Sequence, residues 1–131
     1  MTPRFSEPLF VISVAARLVE MHPQTLRKYE REGLIAPSRT SGNLRLYSDR
    51  DIERLRQVKY LVEHRGLNLA GVQLSLELTL QMQDLRNRIL TASDGRKQSP
   101  VIAELDTLLE SLGFVEEQRV RESQRREDSP S

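Results

Sequence analysis

The chain has 131 residues, 37% of them hydrophobic and 30% charged, with a net charge of +1, two histidines and no cysteine. That apolar content supports one compact domain plus an extension, and no run approaches the roughly 18 apolar residues that a membrane span needs. The lack of cysteine excludes disulfides, thiolate metal sites and thiol redox sensing, and His22 and His64 have no neighbour at ligand spacing, so neither a metal nor a cofactor is expected.

The small net charge hides an asymmetry. Residues 1–66 hold twelve Lys and Arg against eight Asp and Glu, whereas residues 67–131 hold eight against eleven. A basic first half is suited to a polyanion, although such a balance is also common in proteins that never touch nucleic acid. The apolar stretch 9–12 is too short for a signal sequence, so a cytoplasmic protein is expected.

The first helix is predicted to start after Ser13 as N-cap, to carry Val14, Ala15, Leu18 and Val19 on one face, and to end near Met21. The second has Pro23 at its first position and Gly33 just past its end. That framing puts Tyr29 and Leu34 at the two positions whose contact closes a Schellman end. Leu26 and Tyr29 face inward, while Gln24, Arg27, Lys28 and Arg31 share a polar face. About three residues join the two helices, which fits a helix-turn-helix.

Pro37 stops helix, and from Arg39 to Tyr47 the pattern changes to period 2 around the turn Ser41-Gly42-Asn43. This reads as a hairpin, or wing. Leu44 and Leu46 are expected on one side, with Asn43, Arg45 and Tyr47 on the other. Ser48 and Asp51 mark a capping-box-like start for a third helix with a stripe of Ile52, Leu55, Val58 and Val62, ended by Gly66. Asn68 caps a fourth helix that uses Leu69, Val72 and Leu76. Leu78, Met82, Leu85 and Ile89 then follow at spacings of four, three and four, a coiled-coil seam too short to be stable alone. Beyond a polar break, Val101, Leu105, Leu108 and Leu112 make another amphipathic stripe, ended by Gly113.

The expected fold is therefore all-α with a small β wing. A winged helix-turn-helix DNA-binding domain covers 10–76 and a coiled-coil dimerisation helix 77–92. A polar linker (93–100), an accessory amphipathic helix (101–113) and a tail expected to be disordered (114–131) follow.

The order of elements resembles the MerR family, and the residues agree in register. Thr25-Leu26-Arg27-Lys28-Tyr29-Glu30, then Gly33-Leu34, then Pro37-Ser38-Arg39 match the family's second helix and its exit. Arg45-Leu46-Tyr47 matches the wing's Arg-x-Tyr, and the likeness covers 12–80. Within the family, Val11-Ile12-Ser13-Val14-Ala15-Ala16, Met21-His22-Pro23-Gln24-Thr25-Leu26-Arg27 and Gly66-Leu67-Asn68-Leu69-Ala70-Gly71-Val72 look like the HspR group of heat-shock repressors. Three positions depart from the broad family pattern: Glu20 stands at a turn site that is usually Gly, His22 at a cap that is usually Ser, and Leu44 where a wing aromatic is common.

The resemblance implies a repressor of chaperone genes that binds an inverted repeat in double-stranded DNA as a homodimer, with a DnaK-type chaperone as a candidate co-repressor and no membrane partner. Gln24, Thr25 and Lys28 are the candidates for base edges, and Arg27 for phosphate, with Arg31 on the same face. Tyr29 lies in the matching motif and is counted with them. Arg39, Asn43, Arg45 and Tyr47 are candidate wing contacts to the backbone, Tyr47 being equally readable as a core aromatic. Arg17 is either a phosphate contact or a plain surface charge, and His22 is a helix-start or phosphate-adjacent residue. Leu78, Met82, Leu85 and Ile89 are the dimerisation candidates, and in the family this helix pairs antiparallel with its twin. No catalytic arrangement is recognised, so an enzyme is not expected. A MerR-type activator gated by another ligand stays open as the alternative, and a dimeric adaptor that does not bind DNA is the remaining rival.

Overall fold

The computed structural model describes residues 3–92 and 99–114. Most of the expected linker, at 93–98, and the expected tail beyond 114 lie outside them. A short helix, α1 (Pro3–Ser6), precedes strand β1 (Phe10–Val11). Helices α2 (Ile12–Val19) and α3 (Pro23–Arg31) come next, then strands β2 (Ser38–Arg39) and β3 (Arg45–Tyr47). Three more helices follow: α4 (Asp49–Glu63), α5 (Leu69–Ala92) and α6 (Pro100–Ser111). Among the described residues no helix is long and apolar enough to cross a membrane.

The wing is the outer part of a three-stranded antiparallel sheet in the order β1-β3-β2. Phe10 is paired with Tyr47 and Val11 with Leu46 on one side of β3, and Ser38 with Leu46 and Arg39 with Arg45 on the other. Strand β1 was not expected from the sequence. It also moves the start of α2: the chain passes straight from the sheet into the helix at Ile12, with Val11 as N-cap and no side-chain cap bond. Ser13 therefore lies inside the helix rather than at its cap. The inward face of α2 is Ala15, Ala16 and Val19, while Leu18 is largely exposed.

Helix α2 ends at Val19 because Glu20 turns left-handed (φ 57°), and the Met21 amide then reaches back to the Ala16 carbonyl at 3.0 Å. The family's usual glycine at this site is thus explained by conformation, and Glu20 carries the steric cost of the turn. Helix α3 ends as expected. Gly33 has φ 77°, its amide donates to Glu30 O, and the Leu34 amide donates to Tyr29 O at 2.9 Å. Those two bonds make a Schellman end.

The reciprocal capping box of Ser48 and Asp51 is present at the start of α4. Its buried stripe is Ile52, Leu55, Val58 and Leu61, so Leu61 takes the place expected of Val62. The Gly71 amide donates to the Asn68 side chain at 2.9 Å, capping α5. The fourth helix and the coiled-coil segment are one continuous helix, so the boundary expected at 76/77 is not a break in structure.

One core gathers Ala15, Val19, Leu26, Tyr29, Leu34, Tyr47, Leu55, Val58, Val72 and Leu76 from α2, α3, the sheet, α4 and the first turns of α5. Helix α6 packs on α5 through Ile102, Leu105 and Leu109. The expected stripe there was rotated: Val101 and Leu108 are exposed and Leu105 alone was read correctly as buried, with Leu112 half-buried. The end of α6 is joined to α4 as well. Buried Gln57 donates to the Leu112 carbonyl at 3.0 Å and to Thr79 Oγ1 at 2.8 Å. At Gly113 (φ 80°) an added Cβ would fall 2.5 Å from a Tyr60 ring carbon.

Candidate DNA interface

Helix α3 is made amphipathic by two anchors. Leu26 is fully buried and Tyr29 is 9% exposed, while His22, Gln24, Lys28 and Arg31 are exposed and Thr25, Arg27 and Glu30 lie half-buried along the flank. His22 caps the helix, its Nδ1 accepting from the Gln24 amide at 3.0 Å. That bond requires an unprotonated Nδ1, so the histidine does the work of the family's usual serine. The exposed start of α3 therefore presents Gln24 and Lys28 with Thr25 beside them. The dipole of the helix adds positive potential at that end.

The wing is tied to α3 by one carboxylate. Glu30 accepts from Arg39 Nη2 at 3.0 Å and from Arg45 Nε at 2.5 Å. Burial works to raise the Glu30 carboxyl, and the hydrogen bonds and charges of Arg45 and Arg39 outweigh it, leaving it below the usual carboxylate range. At the hairpin tip Asn43 has φ 65°, the Asn43 amide donates to Thr40 O at 2.8 Å, and the Thr40 amide to Leu44 O at 2.9 Å.

Two of the expected contacts are corrected. Tyr47 is fully buried. Because β1 pairs on its far side, β3 is the central strand, and Tyr47 turns into the protein, whereas Arg45, two residues earlier on the same side, stops at the edge of the core with its side chain 26% exposed. The Tyr47 hydroxyl is buried with no hydrogen-bond partner among the described residues. Burial pushes that hydroxyl up, and the charge of Glu30 adds to the effect against that of Arg45. Tyr29 is likewise a core residue, held at the closing turn of α3, and burial with the charges of Glu63 and Glu32 raises its hydroxyl. Both rings are packed into the core. Arg17, on the last turn of α2, and Asn43, at the wing tip, are exposed.

A group that the sequence reading passed over sits on α4. Arg54 Nε donates to Leu34 O at 2.5 Å, Arg56 to Leu18 O at 3.4 Å, and Lys59 Nζ to the carbonyls of Val19 and Glu20 at 3.2 Å each. Arg56 and Lys59 satisfy carbonyls left open at the end of α2, and Arg54 meets one just past the end of α3, so α4 ties the exits of both helices to itself. The signal was in the sequence as Arg54, Arg56 and Lys59 interleaved with the buried stripe, but charge on a helix gives no hint of which carbonyls it meets.

On α5 the expected seam stands apart from the core. Leu78, Met82, Leu85 and Ile89 fall within about 60° of one another around the axis. Leu85 is 41% exposed and Leu74, one step further toward the N-terminal end of the row, 56% exposed. Leu78, Met82 and Ile89 are half-buried.

Residues 10–79 match the family of MerR HTH regulatory proteins. The heat shock protein HspR of Streptomyces coelicolor is 52% identical over 91 residues, covering 67% of this chain and 60% of that protein. The HTH-type transcriptional regulator GlnR of Bacillus anthracis is 40% identical over 70 residues, 53% of this chain and 54% of the relative. The HTH-type transcriptional regulator YfmP of Bacillus subtilis is 32% identical over 108 residues, 81% of this chain and 77% of its own. The matched part thus spans about three fifths of the HspR relative and about half of GlnR. With that match spanning the helix-turn-helix, the three-stranded sheet and the start of the long following helix, the chain belongs to the MerR family of helix-turn-helix regulatory proteins.

Proposed function

We propose that this chain is a sequence-specific DNA-binding repressor of heat-shock chaperone genes that acts as a dimer on an inverted repeat. The observation that carries the reading is the division of α3: Leu26 and Tyr29 are buried, while Gln24, Lys28 and Arg31 stand in solvent beside a basic wing. A helix with one exposed polar face fits the major groove, where all four base pairs can be told apart. Gln24, Thr25 and Lys28 read base edges. Arg27, Arg31, Arg17 and the wing hold phosphates, which fix register without carrying sequence information.

The apolar row on α5 supports pairing with a second copy, and a two-fold dimer meets a two-fold DNA site. The heat-shock assignment rests on the likeness to the Streptomyces coelicolor HspR. A DnaK-type chaperone as co-repressor belongs to the same proposal.

The test is fluorescence anisotropy on the duplex upstream of the chaperone operon, at two salt concentrations, with and without the DnaK-type chaperone. Selective binding is expected, with a slope of log affinity against log salt of about −0.9 for each neutralised phosphate. Tightening by the chaperone supports the co-repressor role. Absence of selective, salt-sensitive binding overturns the repressor reading.

A further inference from the structure

We infer that Glu30 is the positioning residue of the wing, holding Arg45 ready for a backbone phosphate while Arg39 is consumed in the frame that holds it. This rests on the DNA-binding reading above and divides roles that the sequence assigns alike to both arginines.

Arg39 and Arg45 are directly opposed in the antiparallel hairpin. Two like charges in that position repel and weaken the pairing. Glu30 comes from the last turn of α3, nine residues before one arginine and fifteen before the other, and gives one carboxylate oxygen to each. The repelling pair becomes a triad of one negative and two positive groups, and the hairpin is fastened to the helix that lies beside it.

The two arginines are used differently within this triad. Arg39 gives Nη2 to Glu30, and its Nη1 to the Asn43 carbonyl at 3.2 Å and side-chain Oδ1 at 3.4 Å. Both of its terminal nitrogens are therefore engaged, one on the helix and one across the turn that shapes the tip. Among the described residues, Arg45 gives only Nε. A guanidinium held through Nε keeps its plane fixed while both terminal nitrogens remain to donate. Arg45 thus has the geometry of an aimed phosphate donor, and Arg39 that of a brace.

A carboxylate beside two arginines could instead act as a stand-in for phosphate that DNA must displace. The two roles give opposite results when the charge is removed. For a positioning residue, Glu30→Gln frees the wing and weakens binding; for a competitor, it adds a free cation and tightens binding.

The experiment uses the full chain and a duplex selected by the wild-type protein from a random-sequence pool. Affinity is followed against salt for wild type, Glu30→Gln, Arg39→Ala and Arg45→Ala. Proton exchange at the Arg45 Nε–H is followed by nuclear magnetic resonance without DNA. Glu30→Gln is expected to lower affinity about tenfold, the scale of a lost charged hydrogen bond, and to speed exchange at Arg45 Nε. Arg45→Ala is expected to reduce the salt slope by about 0.9, one phosphate, and Arg39→Ala to lower affinity with the slope unchanged.

Tighter, more salt-dependent binding by Glu30→Gln overturns the positioning role, and an equal loss of slope in Arg39→Ala overturns the division between the arginines. Fast Arg45 Nε exchange in a wild type that binds DNA overturns the bridge alone. A wild type with slow exchange that selects no duplex overturns the DNA reading and with it the purpose assigned to the bridge. Arg39→Ala also guards against a folding failure in Glu30→Gln, since it loosens the same frame from the exposed side.

Discussion

From β1 to the first turns of α5, apolar side chains from five elements converge on one cluster, and the surface carries the basic groups of α3 and the wing, with Leu18 and Leu44 exposed among them. The α5–α6 pair is built otherwise. Helix α6 contributes Ile102, Leu105 and Leu109 to burial, with an Arg86–Asp106 pair at 2.8 Å and the Gln57 joint to fasten it. Leu74, Leu80, Leu85, Val101 and Leu108 are left 41–59% exposed. The first region is organised around a single buried cluster and offers charge. The second still presents an apolar surface, the kind that marks a protein contact.

The widest separation between the regions is expected from replacing a leucine in each. Leu55 is fully buried, so Leu55→Ala should lower unfolding stability by about 2–5 kcal/mol, read from the denaturant midpoint. Leu85→Lys should leave the protomer's fold intact and instead shift the sedimenting species from the proposed dimer to monomer. A loss of fold in Leu85→Lys comparable to that of Leu55→Ala would make the α5 row part of a core and erase the contrast.

The next change probes the seam between the regions. Gln57 is 4% exposed and is the polar link from α4 to both α5 and α6. Gln57→Leu leaves the Leu112 carbonyl and the Thr79 hydroxyl short of a donor, at a cost of about 1–3 kcal/mol. Hydrogen exchange should speed up in α6 and stay slow in α3. Equal acceleration in both would mean that the two regions open as one unit.

The two regions were also unequally legible. Around α3 and α4 the punctuation is local: Pro23, Gly33, Ser48 with Asp51, Gly66 and Asn68 each act through a turn or a cap within a few residues, and each was placed correctly. What failed there depends on distant partners. Strand β1 exists only because β3 is available to it, and its pairing resets the start of α2 and makes β3 central, which takes Tyr47 inside. On α6 the apolar residues outnumber those one face can bury, so 101, 105, 108, 112 and 102, 105, 109 are both acceptable helical rows. The choice between them is made by packing against α5 and α4, elements far away in sequence. The candidate interface was legible as a set of residue types, but the sharing of Glu30 between two opposed arginines was not, since ion pairs across a turn leave no periodic trace.

The smallest effect is expected at that carboxylate, and it is confined to the first region. Glu30 ionises below its ordinary range because the Arg45 and Arg39 bonds overcome the opposing effect of its burial. A depressed carboxylate contributes stability that is fully present above its unfolded value, about 4.3, and is lost as pH falls through the lower folded value. Acidification below the ordinary glutamate range should therefore loosen the wing. Exchange at the amides of Thr40, Asn43 and Leu44 should rise while α6 stays protected, by less free energy than either substitution above. Glu30→Gln should abolish this acid step while leaving the hairpin more open at neutral pH. An acid step of the same size in Glu30→Gln would assign it to another carboxylate, with the Asp51 that caps α4 the first to be examined, because its bond to the Ser48 amide would also be lost on protonation.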